Sequence, residues 1–99
     1  MSIYQMNKQD TIDVNRLEND LSLADHELQK LKEELGNTVI ILNELRNQNQ
    51  TDENRAEIIS EEDELFLKNI EIMYYELDIT QIQLDIQVIE NQYNYNIPT

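Results

Sequence analysis

Residues 14–45 decide the fold of this chain, and they read VNRLENDLSLADHELQKLKEELGNTVIILNEL. Within them, alternating steps of three and four separate the residues Val14, Leu17, Leu21, Ala24, Leu28, Leu31, Leu35, Thr38, Leu42 and Leu45. All but one are apolar, and the spacing is the heptad pattern of a helix that packs along one seam, as in a coiled coil. The sequence therefore predicts a first helix over about residues 10–47. We call these residues the leucine seam.

Gly36 and Asn37 form the weak point of this first helix. A glycine followed by an asparagine is typical of a helix end. The leucine seam keeps its phase on both sides of the pair. We therefore expect one continuous helix, and a break at this pair is the alternative.

A polar stretch separates the first helix from the second. It contains no apolar residue and predicts a loop at about 48–52. Thr51 or Asp52 can then cap a second helix over about 53–94. Ser60, which precedes an acidic run, is an alternative start for this helix.

The predicted organisation is a single all-α domain over residues 1–99. Two long helices that are joined by a short loop favour an antiparallel hairpin. A short C-terminal tail at 95–99 ends the second helix, because Pro98 cannot continue it.

The second helix carries two apolar stripes. The isoleucine stripe consists of Ile58, Leu65, Ile72, Tyr75, Ile79, Ile82, Ile86, Ile89 and Tyr93. The Phe66 stripe, on another face, consists of Ile59, Phe66, Ile70, Met73, Leu77 and Leu84. A helix that is apolar on two faces has to be covered from two sides.

The antiparallel register decides which stripe the first helix is expected to cover. With a turn near residue 50, facing residues have numbers that add up to about 101. This register pairs the leucine seam with the Phe66 stripe, although Thr38 then faces Asp63 and Leu21 faces Thr80. The predicted seam of the hairpin is Leu17, Leu28, Leu31, Leu35, Phe66, Ile70, Met73, Leu77 and Leu84.

The isoleucine stripe then has no partner inside the hairpin. A large exposed apolar patch marks a protein–protein interface, and isoleucine at both seam positions of the heptad favours trimers or tetramers. We therefore expect the hairpins to assemble into a multi-chain helical bundle, as a homo-oligomer or with other proteins of a larger assembly. The predicted oligomer interface is Ile72, Tyr75, Ile79, Ile82, Ile86 and Ile89.

The composition excludes several classes of partner. The chain has a net charge of −14, with 21 acidic and 7 basic residues. This balance argues against direct binding to nucleic acid or to an anionic membrane. The polar segment Met1–Asp10 does not resemble a signal peptide, and the longest apolar run, Val39–Leu42, is too short to span a membrane. We expect a cytoplasmic or virion location.

The sequence offers no apparatus for catalysis, and we expect no catalytic, cofactor-binding or metal-binding residues. The chain contains no cysteine. His26 lies between two acidic residues, but it falls on the solvent face of the first helix. The acidic run Glu61–Glu64 lacks the spacing of a calcium-binding loop. The only glycine is Gly36, so the chain has no glycine-rich phosphate loop.

The expected function is that of a non-enzymatic structural or assembly protein, a coiled-coil building block. The asparagine- and isoleucine-rich, cysteine-free composition is similar to that of proteins from AT-rich genomes, including bacteriophages, which suggests a virion component. Two alternatives remain open at this point. One is an acidic inhibitor or regulator that occupies a basic protein surface as a mimic of nucleic acid. The other is an adaptor or chaperone for a partner helix.

Overall fold

The fold consists of two long helices, α1 (Lys8–Arg46) and α2 (Asp52–Tyr95), in a computed structural model that describes residues 6–95. Helix makes up 92 % of this part of the chain and no strand occurs in it, which confirms the all-α hairpin. The predicted C-terminal tail with Pro98 lies outside the described residues, apart from Tyr95 at the end of α2.

Both helices begin at a side-chain cap. The Asn7 side-chain oxygen accepts a hydrogen bond from the backbone N–H of Asp10 at 2.8 Å. The Thr51 hydroxyl oxygen accepts one from the backbone N–H of Asn54 at 3.1 Å. Each cap satisfies an N–H group that has no partner within its own helix. Since α2 begins at Asp52 and continues through Ser60, the alternative start at Ser60 is wrong.

The helix α1 is continuous through Gly36 and Asn37. Among the described residues no glycine or other residue has a positive φ angle, so Gly36 does not adopt the left-handed conformation of a helix stop. The unbroken phase of the leucine seam therefore outweighs the local signal of the Gly-Asn pair.

The loop at residues 47–51 is held by polar side chains. The Gln50 amide donates to the carbonyl oxygens of Leu45 at 3.5 Å and Arg46 at 3.4 Å, at the C-terminal end of α1. The Asn54 amide donates to the carbonyl oxygen of Asn49 at 2.6 Å. The two bonds from Gln50 satisfy carbonyl groups at the end of α1 that a glycine cap would satisfy in many other helices.

The described chain divides into two compact units. One comprises residues 27–76, with the loop, the second half of α1 and the first half of α2. The other comprises residues 6–26 and 77–95, the two remaining helix segments. In each unit a segment of α1 lies beside a segment of α2, and each unit therefore has its own part of the seam.

Candidate protein-interaction surface

The leucine seam is the buried face of α1. In the unit of residues 27–76, Leu28 and Leu42 expose only 5 % and 2 % of their surface. In the other unit, Val14 is buried, and Leu17 and Leu21 are half-buried. Every member of the leucine seam is buried or half-buried. The face that packs on α2 is therefore the one defined by the heptad steps.

On α2 the buried face is the isoleucine stripe, so the expectation that the hairpin leaves this stripe uncovered is wrong. In the unit of residues 27–76, Ile72 exposes 6 % of its surface and Tyr75 is half-buried. In the unit of residues 6–26 and 77–95, Ile86 exposes 9 %. The three other residues of the predicted interface in this unit, which are also covered, are the half-buried Ile79, Ile82 and Ile89.

The Phe66 stripe faces solvent, which corrects the α2 side of the predicted hairpin seam. Phe66, Met73 and Leu77 are exposed to 65 %, 63 % and 63 %, and Ile59 and Leu84 to 62 % and 49 %. Only Ile70 of this stripe is half-buried. Five of the exposed apolar side chains of α2 thus belong to residues that the sequence placed inside the hairpin.

The two stripes differ in how far they extend towards the C-terminal end of α2. The Phe66 stripe carries Asp63 and Thr80 at two of its heptad positions and Gln87 at the position after Leu84. It would leave the first turns of α1, near Val14, without an apolar partner. The isoleucine stripe continues to Ile89 and Tyr93. In a register that pairs the leucine seam with the isoleucine stripe, the residue opposite Leu21 is Ile79. In the register with the Phe66 stripe it is Thr80.

A polar pair interrupts the buried seam in the unit of residues 27–76. Lys68 follows the phase of the isoleucine stripe between Leu65 and Ile72. Its Nζ lies 3.3 Å from Oε2 of Glu34, and its side chain is only 19 % exposed. Their residue numbers add up to about 101, as the predicted register requires. A charged pair within a seam favours one register, because any slip leaves a charge without its partner.

A tyrosine joins the ends of the two helices in the unit of residues 6–26 and 77–95. The Tyr93 hydroxyl donates to the Asp10 carboxylate and accepts a hydrogen bond from the backbone N–H of Asn7 at 3.0 Å. The bond to Asp10 raises the pKa of Tyr93 above its usual value, because ionisation would lose the donated proton; the Asn7 N–H acts in the opposite direction. These two hydrogen bonds join the start of α1 to the last turns of α2.

The surroundings of the Phe66 stripe carry few charges. The side away from α1 is uncharged, and its residues are Ser60, Leu67, Tyr74, Gln81 and Val88. Leu67 and Tyr74 are themselves 54 % and 66 % exposed, which widens the apolar surface. The side towards α1 carries Arg55, Glu62, Asn69, Glu76 and Gln83. One of its acids, Glu62, has a cation 3.5 Å away in Arg46.

The described residues present no other built site. Within residues 6–95, no group of three or more histidine, cysteine, aspartate or glutamate side chains is arranged to hold a metal ion. In the same part of the chain, neither helix contains a stretch that is long and apolar enough to cross a membrane. His26 lies on the exposed face of α1. The Phe66 stripe is therefore the surface on which a functional argument can be based.

Comparison of the chain with protein-family models, with curated proteins and with solved structures finds no match.

Proposed function

We propose that this chain is a non-enzymatic assembly protein, a coiled-coil building block that joins further copies of itself through the Phe66 stripe. The observation that carries the proposal is the exposure of five stripe side chains, each between 49 % and 65 % open to solvent on one helix. Their heptad spacing is the pattern by which one helix receives another. Such a surface on a small hairpin is typical of an interface.

The free energy available from this stripe is large for a chain of this size. Complete burial of one large apolar side chain contributes about 1.5–3 kcal/mol. Five side chains that are half to two-thirds exposed therefore offer about 5–8 kcal/mol per chain. Two copies that cover each other supply twice that amount. This gross amount of about 10–16 kcal/mol has to supply both the ~8 kcal/mol of micromolar association and about 4 kcal/mol or more for the entropy of joining two chains.

The charge distribution permits a second copy at this face. Two chains that each carry a net charge of −14 repel one another over most of their surface. The Phe66 stripe has an uncharged flank on one side and few acids on the other, so two copies can approach there with little repulsion. The expectation of a trimer or tetramer depended on the isoleucine stripe, which the hairpin itself buries. A dimer of hairpins is the smallest assembly that covers the Phe66 stripe.

The test is a pair of matched double variants, measured by light scattering. Phe66→Asp with Met73→Asp places two charges in the proposed interface, where unpaired burial costs several kcal/mol each. We expect this variant to have the mass of one chain and to keep its helical circular dichroism. The control, Ile12→Asp with Leu23→Asp, adds the same charge at side chains 50 % and 60 % exposed outside the stripe. It should assemble like the parent.

The salt dependence separates this proposal from the acidic inhibitor. Self-association through an apolar stripe should strengthen with salt, because screening reduces the repulsion between two acidic chains. Binding to a basic protein surface would weaken with salt instead. A parent chain that stays monomeric at millimolar concentration, or a stripe variant that assembles as the parent does, would refute the building block. A particle such as a virion is one setting in which this unit would serve.

A further inference from the structure

We infer that the Phe66 stripe pairs with the same stripe of a second copy in an antiparallel, two-fold arrangement. The inference rests on the proposed function and specifies its geometry. It uses α2 alone, which is one continuous helix from Asp52 to Tyr95. The two-fold axis passes beside α2 between residues 71 and 72.

In this register, paired residues have numbers that add up to 143. Every apolar residue of the stripe then faces an apolar residue of the second copy. The apolar pairs are Phe66 with Leu77, Ile70 with Met73, and Ile59 with Leu84, and symmetry forms each of them twice. The two polar interruptions, Asp63 and Thr80, fall opposite each other. No apolar layer therefore contains a carboxylate.

Three other registers are less favourable. A parallel pair places Asp63 of one copy against Asp63 of the other within the seam, which sets two like charges in one layer. An antiparallel pair that slips by one heptad in one direction places Asp63 against Met73 of the second copy. A slip in the opposite direction places Ile70 against Thr80. The carboxylate therefore acts against the parallel pair and the first slipped pair, and Thr80 acts against the second slipped pair.

The flanking residues agree with the same register. On the side towards α1, an antiparallel pair brings Glu62 beside Gln83 of the second copy, and Asn69 beside Glu76 of the second copy. Neither combination sets acid against acid. On the other side, Leu67 lies beside Tyr74 of the second copy, and both are exposed in the single hairpin. The arrangement therefore covers apolar surface on the flank as well as along the stripe.

Disulfide formation between two single-cysteine variants tests the arrangement. The chain contains no cysteine, so an introduced cysteine is the only thiol of its chain that can form a disulfide. We would prepare Phe66→Cys and Leu77→Cys, with a size tag on one of them, and oxidise them separately and as a mixture. In the two-fold register these positions share a layer, so the mixture should give the mixed dimer as its main crosslinked product. Each variant alone should give no more crosslink than a Leu23→Cys control.

The expected selectivity follows from distance. In the antiparallel register, two copies of Phe66→Cys have their thiols about 16 Å apart along the helix, at about 1.5 Å per residue. A disulfide requires Cα atoms within about 7 Å. Efficient crosslinking of Phe66→Cys with itself would overturn the antiparallel arrangement in favour of a parallel one. A mixture that stays uncrosslinked while light scattering shows an oligomer would also overturn it. A parent chain that is monomeric would instead refute the proposed function.

Discussion

The orientation of α2 can be tested by truncating two adjacent side chains. Ile72 belongs to the isoleucine stripe and exposes 6 % of its surface, whereas Met73 belongs to the Phe66 stripe and exposes 63 %. Replacing a buried isoleucine by alanine costs about 2–5 kcal/mol, and we expect the lower half of this range because a two-helix hairpin can relax around the gap. For Met73→Ala, about a third of the side chain is covered, which limits the loss to about 1 kcal/mol.

The two variants should therefore differ by roughly 2 kcal/mol, a factor of about 30 in the unfolding constant. Urea denaturation followed by circular dichroism measures this difference. It should be recorded at a protein concentration at which the parent is monomeric, so that the proposed interface contributes nothing. Equal losses for the two variants, or a larger loss for Met73→Ala, would refute the orientation. The Phe66 stripe would then be the inner face of α2.

Three further substitutions follow from local structure. Gly36→Ala should raise the free energy of unfolding by about 0.5–1 kcal/mol in thermal or urea denaturation, because Gly36 is helical and an added Cβ meets no atom within 4 Å. Thr51→Ala should lower it by about 1 kcal/mol in the same assay, because the first turn of α2 loses its cap. Tyr93→Phe should remove the alkaline step in stability. In the parent, the pKa of Tyr93 is raised above its usual value. The bond to Asp10 therefore stabilises the folded state fully below about pH 10, and this stabilisation is lost as the pH rises through the folded-state pKa. Melting temperatures should be measured over a pH series. A Tyr93→Phe variant whose melting temperature falls at alkaline pH as the parent's does would contradict this prediction.

The helices and the buried face of α1 could be read from the sequence because they depend on local periodicity. Alternating steps of three and four place a side chain on the same face at every turn, whatever the partner is. The polar loop was recognisable because apolar residues are absent from it. The course of α1 through Gly36 followed from the phase of the seam on both sides. None of these features requires knowledge of a distant contact.

The choice between the two stripes of α2 could not be made from periodicity alone. Both stripes follow heptad steps, and their members lie one or two residues apart along the chain, so a small shift in register exchanges one stripe for the other. Two features of the Phe66 stripe distinguish it from the isoleucine stripe. It sets the polar Thr80 opposite Leu21, and it ends early, at Leu84. A comparison of stripe length with the full leucine seam would have selected the isoleucine stripe.

The specific polar contacts lay beyond sequence reasoning. The Tyr93–Asp10 and Lys68–Glu34 pairs join residues far apart in the chain, and each depends on the final rotation of both helices. The sequence shows that Lys68 lies in phase with the isoleucine stripe. It does not show that Glu34 is the partner of this lysine in the folded chain.

The imperfections of the Phe66 stripe are consistent with a surface that selects its partner. The seam of the hairpin is itself interrupted by the Lys68–Glu34 pair, and the short loop between the helices also limits its possible registers. Association between separate chains has no such restraint. A stripe without interruptions could therefore slip by a heptad or reverse its direction at small cost. In the two-fold register Asp63 would lie opposite Thr80, whereas a parallel pair would set it against a second Asp63 and one slipped pair would set it against Met73. The interruption of the Phe66 stripe at Asp63 would thus favour the two-fold register over these two alternatives.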